Sequence, residues 1–207
     1  MIKKHQSKQQ WLDEHVNDEY VKKAQKDGFR SRAAYKLLEI NERDQILSPG
    51  MKVVDLGAAP GGWLQVATKI VGKKGLVIGL DLLNIEPVND VVFLQGDFRE
   101  NDIYEALMAE LKGEKVDVVI SDMSPNISGM DSVDQPRSIY LAELVQAFSH
   151  QVLKKGGSVL LKLFQGAGFD EYVSSMRGDF SKVYIRKPKA SRARSREVYV
   201  LAKGYLN

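Results

Sequence analysis

The sequence predicts an α/β fold, a mostly parallel sheet with helices on both faces. Three observations predict it. Short runs rich in β-branched residues alternate with helical patterns from about residue 32 onward. A glycine-rich turn joins the first such run to the helix that follows it. The 207 residues, 43% of them hydrophobic, suffice for one full core and show no internal repeat.

Residues 1–30 are polar and Lys-rich, and read as a basic arm with short helical pieces; residues 31–207 read as a single domain. A helix is expected from Arg32 to about Arg43, with Ala34, Leu37 and Leu38 facing inward. Ser48-Pro49-Gly50 is a turn. Lys52–Leu56 reads as a buried strand and Gly62–Val71 as a helix. Further strands are expected at Gly75–Asp81, Val91–Gln95 and Val116–Ser121. Apolar residues 141, 144, 145, 148 and 152 give Tyr140–Leu153 a helical period, which Gly156-Gly157 stops. Ser158–Phe164 is a fifth strand. Phe169, Tyr172, Val173 and Met176 mark a helix, and Val183–Arg186 and Glu197–Ala202 two closing strands.

The chain has no cysteine, which excludes a disulfide scaffold, a zinc ribbon and a cysteine nucleophile. The basic start MIKKHQSKQQW has no apolar stretch behind it, so no secretory signal is expected. No apolar run approaches the roughly 18–20 residues that cross a bilayer. A cytoplasmic, membrane-free monomer is expected. A net charge of +3 is too small to argue for nucleic acid by itself; the position of the charge matters more.

The most specific local signal is Asp55-Leu56-Gly57-Ala58-Ala59-Pro60-Gly61-Gly62-Trp63. Glycine lets a backbone pass close to a ligand where a side chain would clash. Dinucleotide enzymes use G-x-G-x-x-G to bring a pyrophosphate onto a helix N-terminus. Here the second glycine of that pattern is missing, and the strand carries Asp55, which repels phosphate and suits a cation. Asp81 ends the next strand, placed for a ribose diol, and Asp97 follows the third, placed for an adenine amino group. Either aspartate alone is as readily a turn residue. Together with the glycine turn they point to S-adenosylmethionine, with S-adenosylhomocysteine as product and no metal.

The fourth strand runs into Ser121-Asp122-Met123-Ser124-Pro125-Asn126, at the edge where open α/β sheets bind ligands. The (N/D)-P-P-(Y/F) tetrapeptide of amino-directed base methyltransferases is absent, and C5-pyrimidine enzymes need the missing cysteine. A hydroxyl acceptor is the simplest remaining choice. Lys162 sits inside the hydrophobic run Ser158–Phe164, where an unpaired lysine is costly. Glu197 opens a β-branched strand after a basic run, and Lys36 lies on an amphipathic helix where a solvated face is the default.

Asp55–Trp63, Ser121–Gly129, Val159–Gly168 and Ser191–Tyr199 resemble the FtsJ/RrmJ family, also called RlmE, from about Trp11 to Ala202. The resemblance implies a Rossmann-like methyltransferase fold of seven strands with one antiparallel. It also implies methylation of a uridine 2′-hydroxyl in the A-loop of 23S rRNA, on the 50S subunit. The family's catalytic tetrad falls on Lys36, Asp122, Lys162 and Glu197. Its cofactor contacts fall on Gly61, Trp63, Asp81, Asp97 and Asp122, within a turn that includes Asp55, Gly57, Pro60 and Gly62. Met130–Asp134 departs from the pattern and reads as a candidate lid. Lys162 would act as the base if neutral. Held charged, it would instead stabilise the developing alkoxide.

Basic residues cluster twice: Lys3, Lys4, Lys8, Lys22, Lys23, Lys26, Arg30 and Arg32 near the start, and Lys182, Arg186, Lys187, Lys189, Arg192, Arg194 and Arg196 before Glu197. The second run is expected to bind RNA phosphates beside the reacting ribose. Tyr184 and Tyr199 are candidates for base stacking, though strand tyrosines more often pack. Two alternatives remain open: a non-catalytic RNA-binding assembly factor on the same fold, and a nicotinamide-linked oxidoreductase.

Overall fold

The computed structural model describes residues 18–192 and 194–207. Helix α1 (Glu19–Asp27) starts on Asp18, whose carboxylate accepts from the Tyr20 amide, and ends at Gly28 in the left-handed region. Then follow α2 (Ala33–Asp44), β1 (Lys52–Leu56), α3 (Gly62–Val71), β2 (Leu76–Asp81), β3 (Val92–Gln95), α4 (Asn101–Glu110) and β4 (Val116–Ser121). The chain closes with α5 (Asp131–Val152), β5 (Leu153–Phe164), α6 (Phe169–Asp179), β6 (Phe180–Arg186) and β7 (Glu197–Tyr205).

The seven strands lie in the order β3-β2-β1-β4-β5-β7-β6. All neighbours are parallel except β7, which runs antiparallel between β5 and β6. The chain moves outward from β1 to β3, then returns to place β4 on the other side of β1. That reversal opens a crevice at the carboxyl ends of β1 and β4.

Alternation along the strands sorts the core into two layers. Val54, Ile78, Val119 and Leu161 pack under α4, α5 and α6. Val53, Val77, Val118, Leu160 and Tyr199 pack under α2 and α3. Lys162 shares the strand face of Leu160 and pairs with Tyr199 across the ladder, so it lies on the side covered by α2.

Several sequence expectations are corrected. Helix α4 is missing from them, although Ile103 and Leu107 are four apart and pack inward. Helix α5 begins at Asp131, so the candidate lid is its first turn. Asp134 on that turn accepts from the amides of Ser128 (2.8 Å) and Gly129 (2.9 Å), which fixes the preceding loop. The pair Gly156-Gly157 does not stop a helix. It lies within β5, whose pairing with β4 shifts register near Val116. In the arm, α1 packs Ala24 and Tyr20 against Tyr35 and Ala190; Lys3, Lys4 and Lys8 lie outside the described residues.

Candidate active site

A cleft of about 590 Å³ opens at the ends of β1, β2 and β4. Gly57, Ala59, Asp81, Leu82, Leu83, Asp97 and Asp122 line it. Gly57 has φ +73, and a side chain there would collide with Met123. Asp81 is anchored by two amides: Oδ2 accepts from Ala59 and Oδ1 from Leu83, both at 2.8 Å. Each oxygen keeps a lone pair for a further donor. Leu82 and Leu83 are each 66% exposed and supply an apolar wall. Asp97 accepts from the Arg99 Nε with both oxygens, at 2.9 and 3.0 Å. That contact holds its carboxyl below the usual range. An adenine amino group would compete with Arg99, a residue that carries no signal in the sequence pattern.

The rest of the glycine turn lies under or beside the cleft. Asp55 is 1% exposed, and its Oδ2 has no hydrogen-bond partner. Burial, then the charges of Asp122 and Asp81, push its carboxyl well above the usual range. It therefore sits beneath the wall as a costly buried acid. The Trp63 indole donates to the Ala33 carbonyl (2.8 Å) and packs on Tyr199, with ring centroids 5.8 Å apart. Gly61, at φ +104, makes room for Arg30, and Gly62 for Ser31. Arg30 donates to the carbonyls of Pro60 (3.2 Å) and Pro87 (2.7 Å), tying the turn to the loop after β2.

The structure brings Lys36, Asp122, Lys162 and Glu197 into one hydrogen-bonded cluster. Lys162 Nζ is 2.9 Å from Asp122 Oδ1 and donates to the Asp122 carbonyl at 2.6 Å. Lys36 Nζ is 2.6 Å from Glu197 Oε1 and 3.9 Å from Asp122 Oδ1. Lys36 is buried, with its ammonium on Glu197 and 5.6 Å from the centroid of the Tyr199 ring. Burial would raise the Asp122 carboxyl, but Lys162 and Lys36 outweigh it and hold it down. Tyr199, fully buried, joins the two acids: its hydroxyl is 2.6 Å from Asp122 Oδ1 and 3.4 Å from Glu197 Oε1. Burial, then the two carboxylates, raise its phenol. It cannot stack on a base. The signal for its role is its i+2 spacing from Glu197, which puts both on one strand face. Among the described residues, no three His, Cys, Asp or Glu side chains form a metal set.

The basic run divides. Arg186 forks onto Asp44 with two 2.7 Å bonds and covers Tyr184, so it is a structural anchor. Arg196 pairs with Asp131 on the first turn of α5. Lys182 pairs across the ladder with Lys203, six residues along β7 from Glu197 and so about 20 Å from it. Lys187, Lys189 and Arg194 are exposed, and Arg192 is half-buried.

The chain matches the FtsJ-like methyltransferase family over residues 29–205. It belongs to that family. It is 57% identical, over 96% of both chains, to ribosomal RNA large subunit methyltransferase E of Marinobacter nauticus. A Plasmodium falciparum protein described as a ribosomal RNA methyltransferase superposes with a TM-score of 0.79 at 28% identity. That match covers 86% of this chain and all of the other. Fibrillarin from Aeropyrum pernix, solved with bound S-adenosylmethionine, shares the fold at 16% identity. Its TM-score is 0.53, over 84% of this chain and 74% of the other. The FtsJ-like region begins at Phe29, just after α1, and takes in the cleft and the four-residue cluster. No helix among the described residues is long and apolar enough to cross a membrane.

Proposed function

We propose that this protein transfers a methyl group from S-adenosylmethionine to a ribose 2′-hydroxyl of large-subunit ribosomal RNA. The acceptor we infer is a uridine in the A-loop of 23S rRNA within the 50S subunit, as the FtsJ/RrmJ resemblance implies. The observation that carries the reading is Asp122, which lines the cleft and also holds Lys162. A nucleoside in the cleft and an acceptor hydroxyl at Lys162 would thus meet on one residue. The name of the 57% identical relative supports the RNA class.

The residues fit the cofactor. Asp81 would take the ribose diol, Leu82 and Leu83 the adenine faces, and Asp97 the adenine amino group once Arg99 turns aside. Bound S-adenosylmethionine supplies an electrophilic methyl on a sulfonium, and the acids of the cleft suit its positive charge. Lys162 already engages two acceptors on Asp122, which leaves one position on Nζ. In an ammonium that position is an N–H, which stabilises the alkoxide that develops as the hydroxyl proton leaves to solvent. In an amine it is the lone pair, which takes the hydroxyl proton. Asp122 orients Nζ either way, while Lys36 and Glu197 fix Tyr199 and the far side of Asp122.

Lys162→Ala should lose about a hundredfold or more in single-turnover transfer to undermethylated 50S subunits. S-adenosylmethionine affinity should stay near wild type. Reconstituted particles with a 2′-deoxy target nucleotide should bind and accept no methyl. A rate that rises with pH and then levels marks the amine, and one that falls at high pH marks the ammonium. Wild-type transfer by the variant would remove Lys162 from the reaction, and an active deoxy substrate would make the acceptor a base.

A further inference from the structure

Residues 28–33, between α1 and α2, lie across the glycine turn. Arg30 Nη1 donates to the carbonyls of Pro60 (3.2 Å) and Glu86, and Nη2 donates to the carbonyl of Pro87 (2.7 Å). One guanidinium thus bridges the turn after β1 and the loop after β2. Its backbone is held from α3: Gln65 Oε1 accepts from the Arg30 amide (2.9 Å), and Gln65 Nε2 donates to the Gly28 carbonyl (3.0 Å). The Trp63 indole fixes the far end of the segment at the Ala33 carbonyl. The glycines of the turn divide between two neighbours. A side chain at Gly57 would meet Met123, and both residues line the cleft. A side chain at Gly61 would meet Arg30 Nη1 at 3.0 Å, and one at Gly62 would meet Ser31. The room left by the last two glycines is therefore filled by this segment. Arg30 belongs by sequence to the N-terminal basic cluster, yet the fold turns its guanidinium onto three backbone oxygens. A planar fork committed to carbonyls on two segments fixes the spacing of those segments.

We propose that Arg30 is a positioning residue for the cofactor, holding the glycine turn and the loop after β2 at the separation that S-adenosylmethionine spans. The proposal rests on the cofactor reading above. In that reading Asp81, Leu82 and Leu83 take the adenosine, and the methionine half crosses toward Gly57 and Asp122. Asp81 already ties Ala59 to Leu83 through its two oxygens, so the ribose position has an anchor of its own. Further out, Glu86 and Pro87 are joined to the turn by Arg30. Without that bridge a ligand that touches both sides must itself order them, and its affinity falls by the cost of doing so. A ligand that touches only the adenosine side is spared most of that cost. The arginine acts at a distance, through backbone it holds, and touches no reacting atom.

The test uses the full chain as wild type, Arg30→Ala, Gln65→Ala and, as a control on the exposed turn after α3, Lys73→Ala. Calorimetry follows S-adenosylmethionine, S-adenosylhomocysteine and adenosine on each. Arg30→Ala should weaken the first two about tenfold, the scale of a lost charge-assisted hydrogen bond, and adenosine by less than about twofold. Gln65→Ala frees the backbone of Arg30 and should shift the same two ligands in the same direction, and Lys73→Ala should match wild type throughout. In methyl transfer to undermethylated 50S subunits, the KM for S-adenosylmethionine should rise in Arg30→Ala. The kcat, the KM for particles and its salt slope should stay at wild type. A flattened salt slope assigns Arg30 to RNA phosphate and overturns the proposal. Equal losses for adenosine and S-adenosylhomocysteine mean general loosening and also overturn it, as does wild-type affinity in Arg30→Ala. If Arg30→Ala does not fold, the same comparison in Gln65→Ala decides. Failure of wild type to bind S-adenosylmethionine overturns the cofactor reading and this proposal with it.

Discussion

Asp55→Asn should make the protein more stable at neutral pH, and the gain should grow with pH. Asp55 is 1% exposed on the central strand β1, with one oxygen unpartnered. Burial, then Asp122, then Asp81, raise its carboxyl well above the usual range. Unfolded, the same group titrates near the ordinary value of about 3.9. Between the two values the folded chain binds the extra proton, so wild-type stability falls as pH rises. The slope from this one group is at most about 1.4 kcal/mol per pH unit. Asparagine keeps the shape and cannot ionise. Urea unfolding of both proteins from pH 4 to pH 9 gives the difference directly. It should be small at pH 4 and climb until the folded wild type ionises, then level off. A flat difference would mean that Asp55 is solvated or paired as a carboxylate, and the account of the turn would fail.

Two further predictions concern the cofactor and the basic run. Asp81→Ala should weaken S-adenosylmethionine by roughly 1.5–3 kcal/mol, the scale of a lost charged hydrogen bond; unchanged calorimetric affinity in a folded variant would take Asp81 out of the site. The divided basic run predicts divided phenotypes. Lys187→Ala with Lys189→Ala should flatten the salt dependence of RNA binding and leave stability alone, whereas Arg186→Ala strands Asp44 and should cost about 3 kcal/mol of stability. Equal loss of stability from both would contradict the division.

The strands of the switch point are legible because their signals are local. Val53 and Val54, the glycine turn and the β-branched residues of Val116–Ser121 each act within a few residues, and β1, α3 and β4 match the expected bounds. The misses have long-range causes. Nothing near Arg186 in sequence announces Asp44, and nothing near Arg196 announces Asp131. Both arginines read as free surface charge until the fold closes. Lys36 fails in the opposite direction. An amphipathic helix offers a solvated face to a lysine by default, but β7 meets this one: Lys36 pairs with Glu197 and lies over the Tyr199 ring. The family resemblance singles it out where periodicity cannot. Tyr199 reads from sequence as a stacking or packing ring, and only the fold turns its hydroxyl toward two acids.

Asp122 lies on both sides of the proposed chemistry, and that gives a check none of the other residues allows. It lines the cleft, anchors Lys162 and is the second contributor, after burial, to the raised Asp55 carboxyl. Asp122→Asn keeps an oxygen for the Tyr199 hydroxyl and removes the charge. Lys162 then loses its carboxylate partner while Lys36 keeps Glu197, and transfer should fall about a hundredfold or more. The same substitution removes a like charge from above Asp55, so Asp55 should ionise at lower pH. In the Asp122→Asn background, the stability gained through Asp55→Asn should therefore level off earlier, at a smaller value. It should not vanish, because burial is the larger cause and is untouched. An identical pH profile in both backgrounds would show that the charge of Asp122 does not reach β1. The cleft and the four-residue cluster would then be electrostatically separate, and Asp122 would link them by position only.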